Sequence, residues 1–364
     1  MSLEKLVSDF VLEAPPYVVG AEEQSKKMRP GVTKMLQLAT NENPFGTSPL
    51  AAEAMVKEAF RSNRYPDVRA QALREKLAKL HGLNADQVMV TEGATAGLGF
   101  ISEVFIKPGD ECILTPPTYP NYYNYIKRCR GKLVEVDMPE DTLTPDFAKV
   151  KEAITDKTKI IFLCNPNNPT ATLIPSDELH AFQKELPDTV VLVVDEAYID
   201  FVEDPNYHTM VDAIGPDENL IVIRTFSKLY GMAGSRMGYL MANEEIVNYL
   251  LRDSTGFCCS RCGLVGAEAA LDDIDFQKKT RDLNKKGRDI LVSCMKDLGM
   301  RIWPSHTNFI YFDPICTDPQ TFADRMLDYG IVIRGNFKKN RISIGTPEED
   351  EFAANAMREI VASY

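Results

Sequence analysis

Lys228 stands in the segment Arg224-Thr-Phe-Ser-Lys-Leu-Tyr-Gly-Met-Ala-Gly-Ser-Arg236, where two hydroxyls (Thr225 and Ser227) precede the amine and an arginine follows it eight positions later. An amine that forms imines must be able to lose its proton, and cationic or polar neighbours help it to do so. Arg236 adds a permanent charge whose planar fork suits a phosphate, with the two hydroxyls as further partners. An imine-forming lysine beside a phosphate grip is one reading of this loop. A solvated basic turn is the other.

Other chemistry-bearing strings also end apolar runs. Asp195-Glu-Ala-Tyr198 follows Val190–Val194, and a carboxylate at the end of a buried strand is costly unless it meets a cation. In a pyridoxal-phosphate (PLP) site that cation is the protonated pyridine nitrogen, kept charged so that the ring can draw electrons. A helix cap or an ordinary edge acid is the alternative. Cys164-Asn-Pro-Asn-Asn-Pro-Thr170 gives a rigid proline turn whose amides can bond a ring hydroxyl. Glu92-Gly-Ala-Thr95 opens a helix, whose free N–H groups bind phosphate or are simply capped. Pro117-Thr-Tyr119 offers an aromatic face to a flat heterocycle, or a surface aromatic in the stretch that also holds Tyr122, Tyr123 and Tyr125. Far downstream, Arg341 in Arg-Ile-Ser-Ile-Gly-Thr346 would fork onto a substrate carboxylate or serve as a surface ion-pair partner.

These strings can meet only if a sheet gathers them. Gln87–Thr91, Glu111–Thr115, Lys159–Cys164, Val190–Val194 and Leu220–Arg224 read as short buried strands, with helix-like stretches such as Thr95–Phe105 and Ser176–Leu186 between them. Strands joined by crossover helices predict an α/β domain with a mostly parallel sheet covered on both faces. Such sheets bind ligands beyond the carboxyl ends of their strands, where the strings lie. After about Ala242 the pattern predicts one long helical stretch over Leu264–Leu298, strands at Asn308–Phe312, Val332–Arg334 and Arg341–Ile344, and a closing helix from Glu348. The expected organisation is an N-terminal arm over 1–40, a large domain over 41–255 and a smaller α+β domain over 256–364, joined by part of the arm.

Composition narrows the function. The chain of 364 residues carries 41 Lys and Arg against 53 Asp and Glu, a formal charge of −12, and no basic face suited to nucleic acid. No apolar run approaches the roughly 20 residues of a membrane-spanning helix. The opening Met-Ser-Leu-Glu-Lys-Leu mixes charge into a short apolar stretch with no small-residue cleavage site, so a cytoplasmic location without a signal peptide is expected. Cys258, Cys259 and Cys262 lack the second ligand pair a zinc site requires; they read as reduced thiols, and no metal is expected.

Taken in order, Asn41-Glu-Asn-Pro-Phe-Gly46, Arg64-Tyr-Pro-Asp67, the proline turn ending at Thr170, Asp195-Glu-Ala-Tyr-Ile-Asp-Phe201, the Lys228 loop through Tyr239, and Arg341–Thr346 span nearly the whole chain. In this register they resemble fold-type I PLP enzymes of the class I/II aminotransferase group, most closely the histidinol-phosphate aminotransferases. The resemblance implies an aspartate aminotransferase-like fold and a homodimer with shared active sites. It implies that Lys228 holds PLP as a Schiff base and moves the substrate's α-proton, and that Asp195 pairs with the pyridine nitrogen. Tyr198 and Asn168 would bond the ring hydroxyl and Tyr119 would stack on the ring. Ala94, Thr95, Thr225, Ser227 and Arg236 would form the phosphate cup, with Tyr65 supplied by the neighbouring subunit. Arg341 would grip the α-carboxylate, while Tyr17 and Arg334 match positions that hold the substrate's own phosphate. The substrates would then be an amino donor and a 2-oxo acid acceptor.

Three departures from the family pattern bear on the substrate. Ala171 stands where the family has a glycine after the proline turn, which restricts the backbone there. Ala94-Thr-Ala-Gly97 is neutral where an acidic pair is usual, and Gly256-Phe-Cys-Cys-Ser-Arg-Cys262 replaces a segment expected to line the substrate pocket, with Arg261 a possible added cation. A PLP lyase, decarboxylase or cyclase acting on threonine phosphate or an arginine derivative would share nearly all the cofactor residues. A non-catalytic PLP-binding regulator would need a further domain that residues 1–40 are too short to form.

Overall fold

The strand Thr158–Cys164 sends Ile161 and Leu163 to one side of a sheet and Ile160, Phe162 and Cys164 to the other, and both sets are buried. Val191–Asp195 beside it does the same with Leu192 and Val194 against Val191 and Val193. Side chains alternate along a strand, so an unbroken apolar run is stable only where both faces are covered. In the computed structural model, which describes residues 3–13, 32 and 35–364, helices provide that cover. Gln71–His81, Ser176–Lys184 and Arg261–Ala270 contribute to the core on one face, and Gly93–Phe105, Asn121–Arg128 and Glu244–Asp253 to the core on the other.

The strands in chain order are β1 (Leu36–Gln37), β2 (Val88–Thr91), β3 (Glu111–Leu114), β4 (Lys132–Glu135), β5 (Thr158–Cys164), β6 (Val191–Asp195), β7 (Leu220–Thr225), β8 (Gly238–Met241), β9 (Arg301–Ile302), β10 (Phe309–Asp313), β11 (Ile331–Val332) and β12 (Asn340–Ser343). Seven of them form one sheet in the order β2-β8-β7-β6-β5-β3-β4. Its pairs are parallel except at β8, which runs antiparallel to both β2 and β7. The expected α/β fold is present. Two strands of this sheet escaped the sequence pattern: β8 is four residues led by a glycine, and the edge strand β4 has exposed ends and no fully buried residue.

The stretch expected as a single helix over 264–298 is two. Arg261–Ala270 ends before Asp272-Asp273, and Ile274–Asp297 starts anew with the Asp273 side chain capping the Phe276 amide. Asp273 is held in that role because its other carboxylate oxygen accepts from Ser48 Oγ at 2.6 Å. The change of core also falls later than residue 256. Cys259, Leu264, Ala267, Ala270 and Leu271 pack into the core of the large sheet, whereas Leu291, Cys294 and Met295 belong to a separate core with Ile310, Phe312, Phe322, Ile342 and Met357. That second core covers the antiparallel sheet β12-β10-β9, and Leu36 of β1 and Leu38 just after it join that core as β1 pairs with β11.

Candidate active site

The carboxyl ends of the large sheet open onto a cleft of about 720 Å³ lined by Lys228, Asp195, Tyr119, Arg236 and Arg341 among others. Asp195 is the last residue of β6, and Cys164, the last of β5, is its register partner. Thr225 ends β7 and leads into the Lys228 loop. Gly93, Ala94 and Thr95 form the first turn of the helix after β2, so amide groups without helical partners face the cleft there.

Lys228 Nζ donates to the main-chain carbonyls of Asn41 at 2.9 Å and Thr40 at 3.3 Å. Burial pushes its pKa down to about 8, with the Arg341 and Arg236 charges acting the same way. A lysine so placed spends part of its time neutral near physiological pH, as a nucleophile or base requires. Asp195 shows the opposite shift. Burial pushes it up to about 6, although Tyr122 and the Ala197 amide donate to its two oxygens. Among the described residues this buried carboxylate has no direct ion-pair partner, which matches it to a cation supplied by a ligand.

The anion grip is built from backbone as much as from charge. Arg236 lies in the left-handed region (φ 53°), donates from Nη1 to the Ala233 carbonyl and packs over the helix start. Gly93 lies at φ 77°, where a side chain is strained, and a Cβ there would fall 2.7 Å from Arg236 Nη2 and displace the guanidinium from that first turn. Thr225 Oγ1 donates to Ser227 Oγ at 2.9 Å, and both line the cleft. Free amides, two hydroxyls and one arginine suit a phosphate monoester.

Asn168 is held by a partner on β12 and Tyr198 by one in the segment after β1. Arg341 Nη1 donates to Asn168 Oδ1 at 2.6 Å, leaving the Asn168 amide free to donate. Asn41 Nδ2 donates to the Tyr198 hydroxyl at 3.0 Å, so the Tyr198 proton is available to a ligand oxygen. Asn41 is itself fixed by Ser343 Oγ, which donates to its Oδ1 at 2.9 Å. Arg341 is sandwiched between Phe309 and Phe337, 5.3 and 5.2 Å from their ring centres, and its Nε is buried without a partner among the described residues. Arg334 faces it across a two-way main-chain bridge, and both arginines donate to the Ala39 carbonyl. Two cations thus stand at one end of the cleft and Lys228 at its floor.

Residues 33–357 match the family model for aminotransferase class I and II. The chain belongs to the class I and II aminotransferases. A histidinol-phosphate aminotransferase of Moorella thermoacetica is 35% identical over 360 residues, 97% of this chain and 92% of the relative. One from Hydrogenovibrio crunogenus is 36% identical, over 91% of this chain and 89% of its own. Among solved structures, the histidinol-phosphate aminotransferase of Sinorhizobium meliloti in complex with pyridoxal-5'-phosphate superposes with a TM-score of 0.90 at 28% identity, covering 98% of both chains. A Thermus thermophilus aspartate aminotransferase at 24% identity shares the fold, with a TM-score of 0.86 over 98% of this chain and 99% of that one. The aminotransferase reading stands, and these relatives lend nothing to the lyase, cyclase and regulator alternatives.

Not every expected residue of the aminotransferase joins the cleft. Tyr65 is 78% exposed and packs on Phe257 at 4.6 Å, outside the cleft of its own chain. Tyr17 lies outside the described residues. The segment 256–262 does not line the cleft either: Arg261 turns away to pair with Glu58 and to donate to the Tyr65 carbonyl, so its charge is spent there. Two partners were missed as site residues. Asn41 stands in the sequence only as part of a string, and Tyr122 reads as one of several surface tyrosines, although its four-residue spacing to the apolar Ile126 is that of one helical face.

Proposed function

We propose that this aminotransferase binds PLP in the cleft and takes histidinol phosphate as amino donor, with a 2-oxo acid as acceptor, in a homodimer with shared sites. Lys228 would hold the aldehyde end, Asp195 the pyridine nitrogen, Asn168 and Tyr198 the ring hydroxyl, and Tyr119 the ring face. The first turn at Gly93–Thr95 with Thr225, Ser227 and Arg236 would hold the phosphate. The cofactor, when bound, supplies an electron sink for the bond broken at the substrate's α-carbon.

The rest of the chemistry belongs to side chains. With a pKa near 8, Lys228 can take the α-proton and return it, while the Thr40 and Asn41 carbonyls hold its amine in place between the two events. Arg341 offers its Nε and part of its fork to the carboxylate of the 2-oxo acid, or to the phosphate of histidinol phosphate in its turn, and the flanking rings of Phe309 and Phe337 keep water away. Arg334, beside it, is the cation for a second anionic group.

The observation that carries the substrate reading is this pair of arginines at one end of the cleft, where the phosphate of histidinol phosphate, which has no carboxylate, and the carboxylate of the 2-oxo acid would bind in turn. Support for the dimer comes from the surface: Val56, Phe60, Tyr65, Val68 and Phe257 are exposed apolar side chains on neighbouring segments, where a second copy would cover them and receive Tyr65. Steady-state kinetics with histidinol phosphate, phosphothreonine, arginine and aromatic amino acids test the substrate. Histidinol phosphate is expected to give the highest kcat/KM, and Arg334→Ala to raise its KM while sparing a small neutral donor. Turnover of neutral or cationic donors with both phosphorylated donors inert would refute the reading.

A further inference from the structure

Tyr122 has no exposed surface, and its hydroxyl donates to Asp195 Oδ2 at 2.9 Å. Its ring stacks on Phe162 of β5, with centroids 5.1 Å apart and planes 13° from parallel, and meets the ring of Tyr119 edge-on at 5.4 Å. These two rings fix the phenol from two sides, which aims the hydroxyl at the carboxylate. Burial and the Asp195 charge hold the phenol proton far more tightly than in free tyrosine, so Tyr122 acts only as a donor there. The Ala197 amide takes the other carboxylate oxygen at 3.1 Å.

We propose that Tyr122 is a positioning residue for transamination: it keeps the Asp195 carboxylate charged and aimed into the cleft, so that Asp195 can hold a pyridine nitrogen protonated. The proposal rests on the PLP reading above. A fully buried carboxylate drifts toward its neutral form unless hydrogen bonds or charges offset the loss of water. At Asp195, burial raises the pKa and Tyr122 is the largest opposing influence, followed by the Ala197 amide; the neighbouring Glu196 raises it and Lys228 lowers it. Cys164 at the end of β5 and Tyr119 in the loop after β3 also face it, and burial pushes both of their pKa values up, so they stay protonated. Of Asp195, Lys228, Cys164 and Tyr119, Asp195 alone titrates on the acid side of neutrality. Removing the phenol hydroxyl should move that titration upward, and a neutral Asp195 would no longer favour a charged pyridine.

The test is equilibrium binding of PLP to the apoprotein, followed by absorbance from acid to neutral pH, in wild type, Tyr122→Phe, Asp195→Asn and the double variant. In Tyr122→Phe the acid limb of affinity should rise by about one pH unit, a loss of about fivefold at the wild-type midpoint that approaches tenfold below it. In the Asp195→Asn background the same change should shift nothing, because the carboxylate is gone; any limb from the cofactor's own phosphate is common to all four proteins. An unmoved limb in Tyr122→Phe, or an equal loss with and without Asp195, would overturn the proposal and leave a structural role. If Tyr122→Phe does not fold, 3-fluorotyrosine at position 122, nearly the same in shape and a stronger donor, should move the limb down, and an unmoved limb counts against the proposal. A wild-type protein that binds no PLP would remove the cofactor reading itself; binding with an unmoved limb would remove only the role of Tyr122.

Discussion

Arg341 and Asn168 are joined by a 2.6 Å hydrogen bond that ties β12 of the antiparallel sheet to the proline turn after β5. The bond orients two expected site residues at once, since Arg341 also reaches the Ala39 carbonyl and keeps Nε free. Lysine in this place keeps a charge but loses the fork. Arg341→Lys is expected to lower kcat/KM for every α-amino acid donor by about a hundredfold, roughly the 3 kcal/mol of a charge-assisted pair, with PLP affinity changed far less. Steady-state kinetics beside a cofactor titration checks this; equal losses in both would show that Arg341 mainly shapes the cofactor site.

Lys228 carries a stability cost in the apoprotein. Its pKa falls from 10.5 unfolded to about 8 folded, so between these values the unfolded chain binds more protons and stability rises with pH. Below pH 8 the folded protein bears the full penalty, which water in the cleft reduces to about 1–2 kcal/mol. Lys228→Met should therefore raise the apoprotein's Tm at neutral pH, with the gain fading as pH approaches 10. Borohydride, which should fix PLP to the wild-type protein, should leave the variant unlabelled. A Tm gain that is independent of pH would point to packing rather than charge.

Ala171 sits fully buried at φ 63° between Tyr198 and Phe309. An alanine held in the left-handed region costs about 1–2 kcal/mol. Ala171→Gly relieves that strain but frees the unfolded chain and gives up a buried methyl, so the expected net change is within about 1 kcal/mol. Ala171→Val should cost about 3 kcal/mol or more, because a branched side chain is strained in this conformation and has no room beside the two rings. Thermal unfolding of both variants is the measurement, and a well-tolerated valine would contradict the geometry.

Tyr65 gives a test of shared sites that needs no structure. If it completes the neighbouring subunit's phosphate cup, Tyr65→Ala and Lys228→Ala each cripple both sites of their own homodimer. A mixed dimer has one site with both lesions and one with neither. Refolding the two inactive proteins together should restore about a quarter of wild-type activity for random pairing, since half of the dimers are mixed and each has one intact site. Activity no greater than the sum of the parents would show that Tyr65 serves no partner.

The parts legible in the sequence were those encoded by local pattern. Apolar runs such as Val190–Val194 and Leu220–Arg224 marked buried strands because both faces of a parallel sheet must be covered, and the polar strings lay at their ends because ligands bind there. Lys228, Asp195, Arg236 and Arg341 were found from their types and positions alone, and all line one cleft. What only the tertiary structure decided depends on partners distant in the chain. Asp273 breaks the long helix because Ser48 holds it, and Arg261 is withdrawn from the substrate because Glu58 neutralises it. Tyr122 and Asn41 become site residues through bonds to Asp195 and Tyr198, 73 and 157 positions away. Periodicity records which face of an element is apolar, but not which side chain from another element meets it; that follows from how the sheet, its helices and the second core pack together.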